Sequence, residues 1–382
     1  MTTAVAPPTV AELAALARAR ELAANGRGRV SPNPAVGAVV LRDGRVVAEG
    51  WHEGPGLPHA EAMALAAAGD AARGATVVCT LEPCSHHGRT PPCADALVAA
   101  GVARVVIGLR DPLERERAQG VEVLRAAGIE VAVAGGDDAA ACAELIAPFL
   151  VHSVTGLPEV TLKLATSLDG KIATATGESR WISGPASRAL VHRWRADSDA
   201  VGVGIGTAVA DDPQLTARDV DGPVRQPARV VFDSQATLPL HSALAHTARE
   251  LPVIVLAAED APATRVVALE AVGVDVIRVA GTPEERIVPS LLALGARGIQ
   301  SLFVEGGAGL AGALLQAGAV DRVAWFLAPM LIGGREAPSA IGGGGVQALA
   351  DAPRLLGVRH ETVGDDLLVT GRLRPLPHTL PD

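Results

Sequence analysis

The sequence predicts two consecutive α/β domains. Its 382 residues are long for one domain and sufficient for two. Helical and strand-like patterns alternate through the first part of the chain and again through the second. Between them, residues 147–160 contain Pro, Ser, Thr and Gly that interrupt the apolar pattern, as a short linker would. We therefore expect a first domain over residues 1–150 and a second over 158–376.

In the first domain, apolar positions at helical spacing over 10–24 predict a helix that ends at Asn25-Gly26. Apolar runs over 35–41 and 45–50 flank Asp43-Gly44, which predicts a β-hairpin. The remaining predicted elements are helices at 59–68, 94–100 and about 119–127, and strands at 75–82, 103–109 and 129–134. This alternation is typical of a layered α/β domain.

The second domain shows the same alternation of strands and helices. Its predicted strands are 160–166, 200–206, 228–234, 252–258, 274–280, 301–307 and 322–329. The run IGGGG at 341–345 predicts a flexible loop.

Composition and charge narrow the functional classes. The chain is 49% hydrophobic and 20% charged, so it can bury substantial cores. A formal net charge of -9 argues against nucleic acid as a partner, but allows a small anion held by a few arginines. No apolar run approaches ~18 residues and the N-terminal residues lack a signal-peptide pattern, so no membrane partner is expected. Four cysteines are too few for a disulfide scaffold, which favours a cytoplasmic location.

The segment TLEPCSHHGRTPPC at 80–93 and the segment PHAEAM at 58–63 carry a metal-binding pattern. His59, Cys84 and Cys93 offer an imidazole and two thiolates, which are typical Zn²⁺ ligands, and three ligands leave a fourth position for water. Glu61 is a carboxylate placed to move a proton. The order is that of zinc nucleobase deaminases, H-x-E followed by P-C-x-x-C, except that eight residues separate these two cysteines.

Two other interpretations of this pattern stay open. The cysteines and His59 are common as buried core residues, although four suitable residue types in two correctly framed segments argue against this. A purely structural zinc site needs a fourth protein ligand, for which His86 and His87 are candidates. Cys79, in a strand, and Cys142, in a helix, are predicted to be core residues.

In the second domain, Gly307-x-Gly309-x-x-Gly312 follows a strand and precedes a helix. The acidic residue that a Rossmann site needs ~20 residues further on is missing. A glycine-rich turn at a helix N-terminus still suits a pyrophosphate, and tight helix–strand packing is the alternative. Lys163 lies in an apolar strand, where a lysine needs a partner such as Asp211 or Glu305.

Over essentially its whole length, the chain resembles the bifunctional riboflavin-biosynthesis deaminase-reductase family. The resemblance is carried, in this order, by SPNPAVGAVV, PHAEAMAL, LEPCSHHGRTPPCADAL, LKLATSLDGKIATATGESRWISG, VGVGIGTAVADDPQLTAR and FVEGGAGLAGALLQAGAVD. It implies a cytidine-deaminase-like three-layer first domain that binds Zn²⁺. It also implies a dihydrofolate-reductase-like second domain that binds NADPH.

For the first domain, the resemblance implies hydrolytic deamination of 2,5-diamino-6-(5-phosphoribosylamino)pyrimidin-4(3H)-one. Glu61 would take a proton from water and deliver it to the ring and to ammonia. Asn33 would hydrogen-bond the pyrimidine, although a turn residue between prolines is the alternative. Phosphate-contacting positions fall on His86, Arg89 and Thr90. Residues 111–117, DPLERER, depart from the family's usual Asp-Pro-Asn-Pro and glycine-containing stretch, so substrate contacts from this loop are expected to differ.

For the second domain, the resemblance implies that NADPH reduces the ribosyl group of 5-amino-6-(5-phosphoribosylamino)uracil to ribityl. We hypothesise that Lys163 and Asp211 position the ring-opened ribose. The implied substrate contacts are Ser179, Arg195, Leu215, Arg218 and Glu305, of which the two arginines suit a phosphate. The implied cofactor contacts are Ala165, Trp181, Thr207, Asp211, Ser234, Gly307, Ala308, Gly309, Leu310, Ala311, Gly312 and Ala313.

Two other functions fit parts of this pattern. A nucleoside or tRNA deaminase fused to an unrelated domain is disfavoured by the negative charge and by the second-domain motifs. A non-catalytic zinc scaffold is disfavoured because both His59 and Glu61 are present. The expected protein is a cytoplasmic homo-oligomer, a dimer or a tetramer, that acts on a phosphorylated pyrimidine.

Overall fold

The computed structural model of the chain describes residues 5–86, 91–111, 119–222 and 224–377. The chain divides into two compact units, residues 1–155 with 376–382, and residues 156–375. The linker expected over 147–160 is wrong for most of its length, because Ala147–Thr155 is a helix. This helix buries Phe149, Leu150 and Val151, and the Thr155 hydroxyl donates to the Val151 carbonyl at 2.6 Å.

Unit one contains a five-stranded sheet in the order β2-β1-β3-β4-β5. Strand β1 pairs antiparallel with β2 and β3, whereas β3, β4 and β5 are parallel. The elements are α1 (Val10–Ala24), β1 (Gly37–Arg42), β2 (Arg45–Trp51), α2 (Ala60–Ala68), β3 (Thr76–Cys79), α3 (Cys93–Ala100), β4 (Arg104–Ile107), α4 (Gly120–Ala126), β5 (Glu130–Val133), α5 (Gly136–Leu145) and α6 (Ala147–Thr155). All elements predicted for this part of the chain are confirmed, and α5 and α6 are additional.

Helices cover both faces of this sheet. Leu16 of α1 and Leu150 of α6 pack on one face, together with Val39 and Val78. Helices α2, α3 and α4 pack on the other face through a second cluster. Strands buried on both faces are continuously apolar, as VVL in β1 and VVC in β3 are here. The result is the predicted three-layer arrangement, and Leu376 near the end of the chain packs against the α1 face.

Unit two contains a nine-stranded sheet in the order β10-β9-β8-β7-β11-β6-β12-β14-β13. The seven predicted strands are confirmed, and the hairpin β13–β14 is additional. The elements are β6 (Glu159–Ser167), α7 (Pro185–Asp197), β7 (Ala200–Gly204), α8 (Ile205–Asp211), β8 (Ala228–Phe232), α9 (Ala243–His246), β9 (Val253–Ala258), α10 (Ala263–Ala271), β10 (Asp275–Val279), α11 (Ile287–Gly295), β11 (Ser301–Glu305), α12 (Ala308–Gln316), β12 (Arg322–Ala328), β13 (Leu356–Val363) and β14 (Asp366–Arg372).

Strands β6 to β12 are all mutually parallel. Their carboxyl ends therefore lie at one edge of the sheet, where open α/β sheets bind ligands. Helices α7, α9 and α10 cover one face, and α11 and α12 cover the other. In the part of the chain that the structure describes, no helix combines the length and hydropathy needed to span a bilayer.

Candidate functional site

Three predicted metal ligands converge in unit one. His59 is the N-cap of α2, Cys84 lies in the turn after β3, and Cys93 is the first residue of α3. Their ligand atoms all lie within 4.8 Å of one another. His59 Nδ1 lies 3.5 Å from Cys84 Sγ and 3.3 Å from Cys93 Sγ. One imidazole and two thiols at these distances are a donor set that fits Zn²⁺.

Backbone N–H groups at the start of α3 hydrogen-bond to Cys84. The Cys93 N–H donates to Cys84 Sγ at 3.3 Å, and the Ala94 N–H donates to the Cys84 carbonyl at 3.1 Å. His86, between the two cysteines, is exposed and is not part of the ligand group. His87, Arg89 and Thr90 lie outside the described residues. Within the described ranges the cluster thus has three protein ligands, which leaves a coordination position open.

Cys84, Cys93 and His59 are linked by hydrogen bonds whose protons a bound cation would displace. The pKa of Cys84 is lowered to about 4, because the Cys93 thiol and then the His59 imidazole hydrogen-bond to its sulfur. The pKa of Cys93 is raised, because its proton is held between the two sulfurs. The same contact with Cys84 raises the pKa of His59. Metal binding requires deprotonated thiols, so the group is arranged to release protons when a cation enters.

Glu61 lies next to the ligand group and is almost fully buried. It is in the first turn of α2, its side chain is 3% exposed, and burial raises its pKa to about 7. It is not itself one of the clustered ligands. The carboxyl group therefore has the position that a proton carrier beside a metal would occupy.

Asn33, predicted to contact the substrate, is held by a residue that the sequence did not indicate. Its amide nitrogen lies 3.0 Å from His52 Nε2, and His52 Nδ1 lies 3.0 Å from the Pro58 carbonyl. Because a carbonyl only accepts, Nδ1 carries the proton and Nε2 accepts from the Asn33 amide. Burial lowers the pKa of His52, consistent with this neutral form. The Asn33 oxygen is thereby oriented away from His52, available to a donor on a ligand.

Two further residues position the turn that carries Cys84. Glu82 is buried, and its carboxylate accepts from the backbone N–H groups of Asp111 at 3.2 Å and Val121 at 3.0 Å. Gly120 approaches the same turn so closely that a Cβ there would lie 1.9 Å from the Pro83 carbonyl oxygen. The first turn of α4 and the Cys84 turn are thus tightly packed against each other.

In unit two, a second group of predicted residues lies at the carboxyl edge of the sheet. Gly307, directly after β11, has φ +83°, and a Cβ there would lie 2.9 Å from Thr207 Oγ1. Helix α12 starts at Ala308 without a side-chain cap, so its first N–H groups are available to an anion. A Cβ on Gly309 would meet nothing within 4 Å. This open, uncapped turn fits the pyrophosphate of a dinucleotide.

The later residues of the same motif serve packing instead. Ala311 and Gly312 are buried. A Cβ on Gly312 would lie 2.3 Å from the Gly342 carbonyl oxygen, in the glycine run that was predicted as a loop. Gly312 is therefore a glycine because it packs tightly against residue 342. The possible pyrophosphate site is limited to the turn at the start of α12.

Lys163 lies beside Glu305 rather than Asp211. The two residues are register partners in the parallel strands β6 and β11. Burial lowers the pKa of Lys163, and Glu305 is the ionisable group that most opposes this effect. The Lys163 ammonium also lies 5.9 Å from the centre of the Phe326 ring. Asp211 is not among the described groups that shift the Lys163 pKa.

Arg195 holds the Glu305 carboxylate. Its guanidinium makes a two-pronged pair with Glu305, at 2.5 and 3.0 Å, and also donates to the Thr216 carbonyl at 3.0 Å. Burial raises the pKa of Glu305, but Arg195 outweighs burial and the pKa is lowered overall. The fork that was expected to grip a substrate phosphate therefore contacts Glu305, and a phosphate would have to compete with this pair.

The helix that carries Arg195 is itself anchored by Asp366. This carboxylate is 2% exposed and accepts from the Gly184 N–H at 2.8 Å and the Ser187 hydroxyl at 2.5 Å. It caps the N-terminus of α7, where the chain has no side-chain cap of its own. The sequence gives no pattern for this cap because Asp366 follows Ser187 by 179 positions.

The remaining predicted residues differ in how they are placed. Asp211, the last residue of α8, accepts through its carbonyl from Arg180 at 2.5 Å. Trp181 is 66% exposed, with Arg188 stacked 4.6 Å from its ring centre. The Leu215 side chain is buried in the core, so only its backbone would reach a substrate. Ala165 and Ser179 are half-buried. Arg218 is exposed, and its guanidinium donates to the Gln214 side chain at 2.7 Å. Ser234 directly follows Asp233 in the turn after β8.

Comparison with known proteins decides the family. A model of the RibD C-terminal domain matches residues 158–369, and a model of the cytidine and deoxycytidylate deaminase zinc-binding region matches residues 11–109. The chain belongs to the RibD family. The RibD protein of Bacillus amyloliquefaciens is 41% identical over 92% of this chain and 93% of its own length. The RibD protein of Escherichia coli K12 is 41% identical over 92% of this chain and 96% of its own length.

Solved RibD structures agree with this assignment. Acinetobacter baumannii RibD gives a TM-score of 0.83 at 36% identity, covering 95% of this chain and 98% of that one. A diaminohydroxyphosphoribosylaminopyrimidine deaminase/5-amino-6-(5-phosphoribosylamino)uracil reductase from Thermotoga maritima gives 0.81 at 36% identity, with the same coverage. The chain is thus a RibD-type enzyme of riboflavin biosynthesis with a deaminase and a reductase domain, and its cofactors are Zn²⁺ and NADPH.

Proposed function

We propose that residues 1–150 deaminate 2,5-diamino-6-(5-phosphoribosylamino)pyrimidin-4(3H)-one and that residues 158–376 reduce the ribosyl group of 5-amino-6-(5-phosphoribosylamino)uracil to ribityl. The observation that carries the first half is the convergence of His59, Cys84 and Cys93 with the buried Glu61 beside them. The Thermotoga maritima relative is named for the same two activities, which supports the pairing of both in one chain.

In the deamination, water adds to the ring carbon that bears the amino group, and ammonia leaves. His59, Cys84 and Cys93 would hold Zn²⁺, which would supply the acidity that makes water nucleophilic near neutral pH. Glu61 accepts the proton from this water and delivers it towards the departing amine, since its buried position keeps the proton out of bulk solvent. The Asn33 amide oxygen, oriented by His52, accepts from a ring-edge donor. The family resemblance assigns the phosphate contacts to His86, Arg89 and Thr90, of which Arg89 and Thr90 lie outside the described residues.

Ammonia release from the diaminopyrimidine phosphate tests this assignment. Glu61→Gln keeps the shape of the side chain but removes its basic group, so ammonia release should fall by about 10²-fold or more. Zinc content should be retained, because Glu61 is not a ligand. Unchanged release in Glu61→Gln would exclude this role, and no release in the wild type would favour a non-catalytic scaffold.

In the reduction, the residues of the glycine turn would hold NADPH, which would supply the hydride for C1′ of the opened ribose. We place the nicotinamide dinucleotide over Gly307, Ala308 and Gly309, with Thr207 at the same turn. Lys163, beside Glu305, orients the sugar hydroxyls and stabilises the negative charge that forms as the ring opens. Asp211, the last residue of α8, would contact the ribose. Arg218, seven positions further along the chain, would contact its phosphate.

Lys163→Met tests the reductase half, because methionine keeps much of the length and removes the charge. NADPH oxidation with the deaminated substrate should be lost, while ammonia release from the diaminopyrimidine stays intact. Loss of both activities, or of neither, would contradict the role of Lys163.

We further propose that the protein is a cytoplasmic homo-oligomer whose partners are these small molecules rather than nucleic acid or membranes. The net charge of -9 supports the exclusion of nucleic acid as a partner. Light scattering on the purified chain measures the assembly, and a monomeric mass would contradict it.

A further inference from the structure

A cavity of about 610 Å³ lies at the carboxyl edge of the second sheet, away from the glycine turn. It is lined by the turns that follow three neighbouring strands, β8, β9 and β10. Ser234 comes from the first turn, Glu259 and Asp260 from the second, and Arg286 from the segment after the third. Apart from Ser234, none of these residues has a role in the function proposed above.

The Arg286 guanidinium lines this cavity and forms no ion pair with a described carboxylate. Its Nη2 donates to Ser234 Oγ at 2.7 Å, and its Nη1 donates to the Gly281 carbonyl. Both acceptors are neutral, and no carboxylate in the described ranges forms an ion pair with Arg286. A half-buried guanidinium with only neutral partners is the side chain that most readily takes up a phosphate.

Ser234 is held rigidly in the position that meets Arg286. The preceding Asp233 is 1% exposed, and its carboxylate accepts from the N–H groups of Thr237 and Leu238, at 2.5 and 2.8 Å. The Ser234 carbonyl accepts from the Ala258 N–H at 2.9 Å, which ties the turn to β9. The hydroxyl and the guanidinium are therefore positioned before any ligand binds, which lowers the entropic cost of binding.

The cavity lies at a suitable distance from the glycine turn. Strand β8 is two places from β11 in the sheet, with β7 between them. At ~4.8 Å per strand, the two turns are about 10 Å apart across the edge. A dinucleotide with its pyrophosphate at Gly307 would reach the cavity with its adenosine half.

We propose that Arg286, with Ser234, binds the 2′-phosphate of NADPH and sets the preference for NADPH over NADH. This inference rests on the proposed placement of the dinucleotide at the carboxyl edge. Glu259 and Asp260 line the same cavity, and an acid at a strand end commonly binds the ribose 2′-hydroxyl of NADH. A phosphate dianion beside two carboxylates is repelled unless a cation contacts it, so Arg286 decides between the two cofactors.

Calorimetric titration of the full chain with NADPH and NADH tests the proposal without any turnover. Arg286→Leu should weaken NADPH binding by about 10- to 100-fold, because a charge-assisted hydrogen bond is lost, and should leave NADH binding unchanged. Arg286→Lys should retain part of the preference. The matched control is Arg249→Leu, an exposed arginine that donates to the Ala271 carbonyl at 2.7 Å; neither residue lines the cavity. It should bind both dinucleotides as the wild type does.

The outcomes separate this inference from the proposed function. Equal losses for NADPH and NADH in Arg286→Leu would show a structural role, and no loss would show no role; both overturn the proposal. Titration with 2′-AMP and 5′-AMP gives a second measurement, in which only 2′-AMP binding should depend on Arg286. If the wild type bound neither dinucleotide, the reductase assignment would fail as well. If it bound NADPH and the Arg286 variants matched it, only this inference would fail.

Discussion

Replacing Gly120 by alanine tests whether the packing of α4 against the Cys84 turn holds the metal site together. The added Cβ would lie 1.9 Å from the Pro83 carbonyl oxygen and 3.1 Å from the Pro83 carbonyl carbon. Both atoms belong to the backbone, so no side-chain rotation relieves the contact. Pro83 directly precedes the ligand Cys84, so a shift of Pro83 would move the segment that positions its sulfur.

The size of the effect follows from these distances. The two backbones must separate by about 1 Å, and shifts of this kind in a packed interior typically cost about 1–3 kcal/mol of unfolding free energy. Metal–ligand distances tolerate only about 0.2 Å, so a displaced Cys84 can no longer meet the metal together with His59 and Cys93. Losses of about 10- to 100-fold in metal affinity accompany disturbance of residues that support ligands. We expect Gly120→Ala to lose zinc affinity in this range.

The assay is competition for Zn²⁺ with a chromophoric chelator, together with urea unfolding and ammonia release. Gly135→Ala is the matched control, because a Cβ at Gly135 meets nothing within 4 Å and φ there is not positive. NADPH oxidation with the deaminated substrate should be unchanged in both variants. Wild-type zinc affinity in Gly120→Ala, with unfolding free energy within about 0.5 kcal/mol of the control, would refute the reasoning.

Three other predictions concern the two sites. His52→Phe removes the partner of Asn33 and should raise the KM for the diaminopyrimidine about tenfold, with bound zinc unchanged by elemental analysis. Arg195→Leu leaves the Glu305 carboxylate without its guanidinium and should cost about 3–5 kcal/mol in urea unfolding at pH 7. The folded-state pKa of Glu305 is lowered, so the stabilisation by this ion pair is fully present only above the unfolded-state pKa of about 4.3. It is lost as the pH falls through the folded-state pKa. The difference in unfolding free energy between Arg195→Leu and the wild type should therefore be smaller at pH 3.5 than at pH 7. Removing zinc with a chelator should abolish ammonia release but not NADPH oxidation; a parallel loss of both would contradict separate sites.

The sequence alone predicts most of the strands and the metal ligands. Strands such as AVVL and VIVLAA are buried on both faces, so they are continuously apolar and easy to recognise. His59, Cys84 and Cys93 are chemically distinctive residues at informative spacings, and they meet as expected. The hairpin β13–β14 was not predicted because β13 is almost entirely exposed and lacks an apolar face.

Residues that act through long-range contacts could not be predicted. His52 shows no motif, because its role depends on Asn33 and on the Pro58 carbonyl. Lys163 was expected to pair with Asp211 or Glu305, and only the sheet register selects Glu305. Arg195 was expected to contact a substrate phosphate, but residue type does not reveal that its guanidinium contacts a carboxylate 110 positions away.

The return of the chain to unit one at Leu376 makes the second unit an insertion within the first rather than an appendage to it. A single proteolytic cut after residue 155 would therefore separate the amino-terminal fragment from Leu376, which covers part of its apolar cluster. Dividing the gene at that point into two independent polypeptides would expose apolar surface beside α1.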